Sequence, residues 1–126
     1  MLRLQRKSLL IERKGEMDLE AREKAELAVE ALEDKKAEEV KILDVSTLTE
    51  IADHFVLATA NNKNQLEALV DAVEEKLGKN GIVPKSIEGK PQDNTQWILM
   101  DYNDVIIHIF TKEGREFYDL ERIWKK

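Results

Sequence analysis

The passage from Phe55 to Gly81 constrains this chain most, because two incompatible hydrophobic periods follow each other there. Phe55-Val56-Leu57-Ala58-Thr59 reads as a strand. After Asn61-Asn62, the residues Leu66, Leu69, Val70, Val73 and Leu77 recur at helical spacing and share one stripe. Asn62 is a good helix cap, and Gly81 is free to take the left-handed conformation that terminates helices. A strand followed at once by an amphipathic helix calls for a sheet with helices laid on it.

The rest of the chain fits that frame. Upstream, Asp18 can cap a helix whose Ala25, Ala28, Val29 and Leu32 lie on one stripe. Glu20 and Glu23 suit its positive end, and Lys35 and Lys36 its negative end. That stripe is thin in large side chains, so the helix is expected over the side of the sheet. Val40 to Val45 reads as a strand, and Pro84 to Glu88 as a short peripheral one. Gly89 to Asn94 is turn chemistry. Trp97–Asp101 and Val105–Phe110 read as two strands joined through Tyr102-Asn103-Asp104, whose asparagine and aspartate tolerate positive φ. Thr111 can cap a last helix with Phe117, Leu120, Glu121 and Trp124 at helical spacing. The expected order is α-β-β-α-β-β-β-α, an α/β (α+β-like) arrangement with a mixed five-stranded sheet and helices packed on it. Residues 1–16 read as an N-terminal tail and 17–126 as a single domain.

Length and charge narrow the function classes. A chain of 126 residues suits one core, which buries roughly two-thirds of the unfolded surface. Charged residues make up 37%, above the usual quarter. Residues 1–16 hold five basic and two acidic side chains, so the overall −6 leaves −9 for residues 17–126. An acidic body repels phosphate, so little direct nucleic-acid binding is expected, and a basic protein surface is the better partner. With no cysteine, disulfides and thiol chemistry are excluded. The apolar runs are too short to cross a bilayer, so no membrane role and a cytoplasmic location are expected.

Reactive constellations are sparse. Asp101 and Asp104 are close carboxylates at a strand end, able to hold magnesium or to serve as turn and partner-docking residues. His108 shares a strand face with Ile106 and Phe110, which suits a hydrogen-bonded structural histidine better than a catalytic one. His54 lies at the start of a different strand, so no zinc set forms. Neither a Gly-x-Ser-x-Gly elbow nor a phosphate-cradling glycine motif occurs, and five glycines in total leave little to build one. No catalytic residue, cofactor or metal is expected. Trp97, Tyr102, Phe110, Phe117, Tyr118 and Trp124 all fall in the last third, where they form a core or an interface centre.

The motifs together resemble the Iojap family of ribosomal silencing factors. The matching string begins at Asp44-Val45-Ser46 and runs through Ala52 to Thr59, with Asn61, Gln65 and Glu88-Gly89. It is dense over Trp97–Tyr102, Asp104–Phe110, Arg115 and Tyr118–Trp124, and covers about residues 18–126. The resemblance implies a nucleotidyltransferase-like fold without catalytic equipment, often a homodimer. It also implies binding to the large ribosomal subunit through ribosomal protein L-fourteen, a steric block of subunit association, and lowered translation under nutrient limitation. The docking centre is expected at Trp97, Leu99, Asp101, Tyr102, Asp104, His108 and Tyr118. Three positions depart from the family pattern: Ala60-Asn61-Asn62 replaces Gly-Asn-Ser, Asn64 an arginine, and Asn103 a turn glycine. The first two weaken any anion role for that loop. The alternative is a magnesium-dependent nucleotidyltransferase using Asp101 and Asp104. A third is an interaction module for some other acceptor.

Overall fold

Helix α1 (Ala21–Asp34) opens the part of the chain that the structure, a computed structural model describing residues 20–89 and 95–124, sets out. The Asp18 cap and the 1–16 tail lie outside the described residues. At the start of α1 the Glu20 N–H donates to the Glu23 carboxylate at 3.1 Å, a capping bond that ties the helix's first turn to the residue before it. At its end Lys36 takes a φ of 65°, and the Ala37 N–H donates to the Leu32 carbonyl.

Strands β1 (Glu38–Asp44) and β2 (His54–Ala60) follow, then helix α2 (Lys63–Gly78). Asn62 caps α2 by accepting the Gln65 N–H at 2.8 Å, and Gly81 leaves its far end with φ 77°. The Gln65 side-chain amide donates to the Lys35 and Lys36 carbonyls at 2.9 and 3.0 Å, tying the start of one helix to the end of the other. Strands β3 (Ser86–Glu88), β4 (Trp97–Asp101) and β5 (Val105–Thr111) complete the sheet, and helices α3 (Lys112–Tyr118) and α4 (Leu120–Ile123) close the chain.

The expected mixed five-stranded sheet is present, in the order β1-β2-β5-β4-β3. β2 and β5 pair in parallel at its centre, and every other neighbour is antiparallel. Alternation along each strand sorts the side chains into two layers. Val56, Ala58, Ile98, Met100, Val105, Ile107 and Ile109 face α1 and α2 in one cluster. The alanines of α1 let it lie close over the β1–β2 side, while Leu66, Leu69, Val73 and Leu77 of α2 fill the middle. Each fully buried leucine there stabilises the fold by roughly 2 kcal/mol relative to exposure. Phe55, Leu57, Ile106 and Phe110 point the other way, beneath Val45, Ala52, Leu120 and Trp124.

The closing helix departs from the expected single element. Thr111 caps it as anticipated, its hydroxyl oxygen accepting the Gly114 N–H at 3.0 Å. Asp119 then takes a left-handed conformation (φ 47°, ψ 50°) and divides it into α3 and α4. Arg115, only 9% exposed, supplies the reason. It donates to Thr59 Oγ1 and the Glu39 carbonyl at 2.9 Å each, and to the Glu121 carboxylate at 3.0 Å. The turn at Asp119 lets Glu121 come back to Arg115 and lets Leu120 bury against the sheet. Phe117, which one continuous helix would align with Leu120 and Trp124, is left 77% exposed.

Candidate functional site

Seven side chains were expected at the docking centre, and the fold sorts them by strand alternation. Trp97, Leu99 and Asp101 share one face of β4, each half-buried. Tyr118 comes to the same side from α3, 39% exposed. His108 also belongs to that face but is buried, with 3% exposure. Tyr102 does not join them: it is 1% exposed and sits in the cluster under α1 and α2. Burial and, secondarily, the Glu74 carboxylate raise its phenol above the ordinary range. Asp104 lies at the turn and is directed to Lys24 of α1.

The aromatic rings form a connected row across three strands. Trp97 lies 4.6 Å from Tyr118 and stacks on Phe110 at 5.3 Å, centroid to centroid. Phe117 meets Tyr118 edge-on at 5.0 Å, extending the row outward. Inward, Phe55 contacts His108 at 4.7 Å and Trp124 at 5.1 Å. Two glycines make the row possible. A Cβ at Gly114 would run into the Gln96 carbonyl, so only glycine lets α3 sit against the residue before Trp97. Gly89, at φ 76°, likewise packs against the Trp97 carbonyl.

Within the row, the Trp97 indole N–H donates to His108 Nδ1 at 3.1 Å. Burial lowers the His108 pKa to about 4, so the ring is neutral at physiological pH and that nitrogen is free to accept. The two turn aspartates have structural partners. Asp101 accepts the Asn103 N–H at 2.8 Å, and Asn103 takes the positive φ (74°) expected of a hairpin turn. Asp104 pairs with Lys24 of α1 at 2.8 Å. Among the described residues, no group of three His, Asp or Glu side chains could hold a metal ion.

Acid gathers at the margin. A cleft of about 650 Å³ is lined by Glu38, Glu39, Glu113, Glu116, Asp119 and Glu121, with Lys112 and Arg115. The hydrogen bond from Arg115, then that from Lys41, holds the Glu121 pKa down at about 2. Phe117, 77% exposed and in contact with Tyr118, extends the row although it is not among the seven expected docking residues. Helical spacing alone aligns Phe117 with Leu120, Glu121 and Trp124, and the break at Asp119 separates it from them.

The class is thus a small α+β fold around a mixed sheet, with one aliphatic face under long helices and one aromatic, partly open face. Residues 18–126 match the family described as "Ribosomal silencing factor during starvation". The chain is 35% identical to ribosomal silencing factor RsfS of Bacillus subtilis over 98 residues, covering 78% of this chain and 81% of that one. It is 38% identical to the chloroplastic Iojap protein of Arabidopsis thaliana over 94 residues, 70% of this chain and 36% of the relative. A crystal structure of a Chromobacterium violaceum protein superposes with a TM-score of 0.79 at 34% identity, covering 86% of this chain and 90% of that one. A second, from Bacillus halodurans, gives 0.72 at 34% identity, covering 82% and 94%. The chain belongs to the family of ribosomal silencing factors.

Proposed function

We propose that this protein binds the large ribosomal subunit through ribosomal protein L-fourteen, occupies a surface the small subunit needs, and so represses translation when nutrients are short. It acts in the cytoplasm, by binding rather than catalysis, and is a homodimer when free. The observation that carries this reading is the aromatic row. Trp97, Tyr118 and Phe117 emerge from the sheet face that the long helices leave uncovered, beside an acidic margin. Interface centres favour tryptophan and tyrosine, and an acidic rim steers toward a basic protein. Leu99 and Asp101 share the Trp97 face and complete the contact area. Tyr102 and Asp104 support it from behind, through the core and the Lys24 ion pair. Both turn carboxylates are engaged by the protein itself, which speaks against magnesium-dependent nucleotidyl transfer.

The test is light scattering of purified subunits as they associate. Saturating protein is expected to suppress joining, and unchanged joining overturns the mechanism. Replacing Trp97 by alanine is expected to weaken large-subunit binding by roughly 2 kcal/mol. Calorimetry with magnesium and each nucleoside triphosphate is expected to show no binding heat.

A further inference from the structure

His108 has a geometry that core packing alone does not require. It lies on β5 opposite Leu99, two register positions from the Trp97–Phe110 pair and next to it on the same face, so it reaches Trp97 diagonally across the strands. Its ring is sealed in: 3% exposed, edge-on to Phe55 at 4.7 Å and close to Phe110. An apolar side chain would fill that space without a desolvated nitrogen, and here Nε2 is buried with no protein partner. What an apolar residue would lack is Nδ1, the acceptor for the Trp97 indole N–H at 3.1 Å.

Resting on the docking reading above, we infer that His108 is a positioning residue: it fixes the half-exposed Trp97 indole in one orientation, ready for the partner, and does not touch the partner itself. Without the acceptor, the indole N–H satisfies itself by turning toward water, and the ring is no longer held across Tyr118 and Phe110. Holding a large aromatic in its bound rotamer removes an ordering cost from association. Neutral imidazole is required, and the buried setting supplies it. Tyr118 and Phe110 set the plane of the ring, and His108 sets its direction within that plane.

The test compares His108→Leu, which keeps the bulk and loses the acceptor, with His108→Asn, whose Oδ1 takes the place of Nδ1. Two signals are read, each well below the unfolding transition of every variant: the Trp97 indole N–H resonance, assigned with a Trp124→Phe control, and affinity for purified large subunits. His108→Leu is expected to move the resonance, to speed exchange of that proton at least tenfold, and to weaken binding about tenfold. His108→Asn is expected to restore both. In a double-mutant cycle, Trp97→Phe and His108→Leu together are expected to cost no more than either alone. An unchanged indole signal in His108→Leu, wild-type affinity in that variant, no recovery in His108→Asn, or additive losses in the cycle would each overturn the inference. Trp97→Ala that binds normally would instead sink the docking reading, which keeps the two failures distinct.

Discussion

The two faces of the sheet are built from the same strands and differ in almost every other respect. The face under α1 and α2 is aliphatic, and its residues Val56, Ile98, Met100, Ile107 and Ile109 are wholly buried. The opposite face carries the rings, is covered by the Val45–Ala52 connection and two short helices, and leaves Trp97, Leu99 and Trp124 only partly buried. Long helices with regular stripes close a surface completely. A cover made of two short helices, held by a single buried arginine, leaves an open border. The first face supplies stability, and the second has surface left over for a partner.

That contrast can be broken by substitution. Ile107→Ala, on the closed face, is expected to cost about 4 kcal/mol in denaturant unfolding and to leave large-subunit affinity of the folded protein unchanged. A smaller cost would mean that the helices close that face less tightly than the burial indicates.

Acid should act on the aromatic face next. His108 has a folded pKa of about 4, below its ordinary 6.5, so the unfolded chain binds the proton first. Its contribution is full above pH 6.5, is lost as pH falls toward 4, and amounts to about 3 kcal/mol. Unfolding free energy measured across that window should fall steeply in the wild type and more gently in His108→Leu. Equal slopes would show that the histidine is not held neutral by burial.

Gly114→Ala should cost about 2 kcal/mol, because α3 must retreat from Gln96 to admit a methyl group. Thermal unfolding reads that loss, and subunit binding should weaken with it as Tyr118 moves away from Trp97. The smallest change in stability is expected at Phe117→Ala, within about 0.5 kcal/mol, since the ring is largely in water. The same substitution should reduce large-subunit affinity about tenfold in sedimentation binding. A stability loss with unchanged binding would reverse the roles assigned to the two faces.

Much of this was legible from local chemistry. The α2 stripe, its Asn62 cap, the β4 boundaries and the positive φ at Asn103 follow from patterns a few residues long. The inward turn of Tyr102 was also within reach, since residues 98, 100 and 102 alternate with 97, 99 and 101. Reading the aromatics by position in the chain rather than by parity merged the two faces. The break at Asp119 was not legible. It depends on Arg115 reaching Thr59 and the Glu39 carbonyl, partners far off in the sequence, and helical spacing cannot report a turn fixed from so far away. The exposure of Phe117 follows from that break and was hidden with it.

The parallel pairing of β2 with β5 has a consequence for how the molecule comes into being. Its register, His54 against Val105 through Ala60 against Thr111, joins segments with residues 61–104 between them. During synthesis, β1, β2 and α2 emerge with one edge of β2 still unpaired, and no local hairpin can supply the missing neighbour. The middle of the sheet closes only once β5 is available, so this pairing across residues 61–104 is expected to form more slowly than the local β4–β5 hairpin.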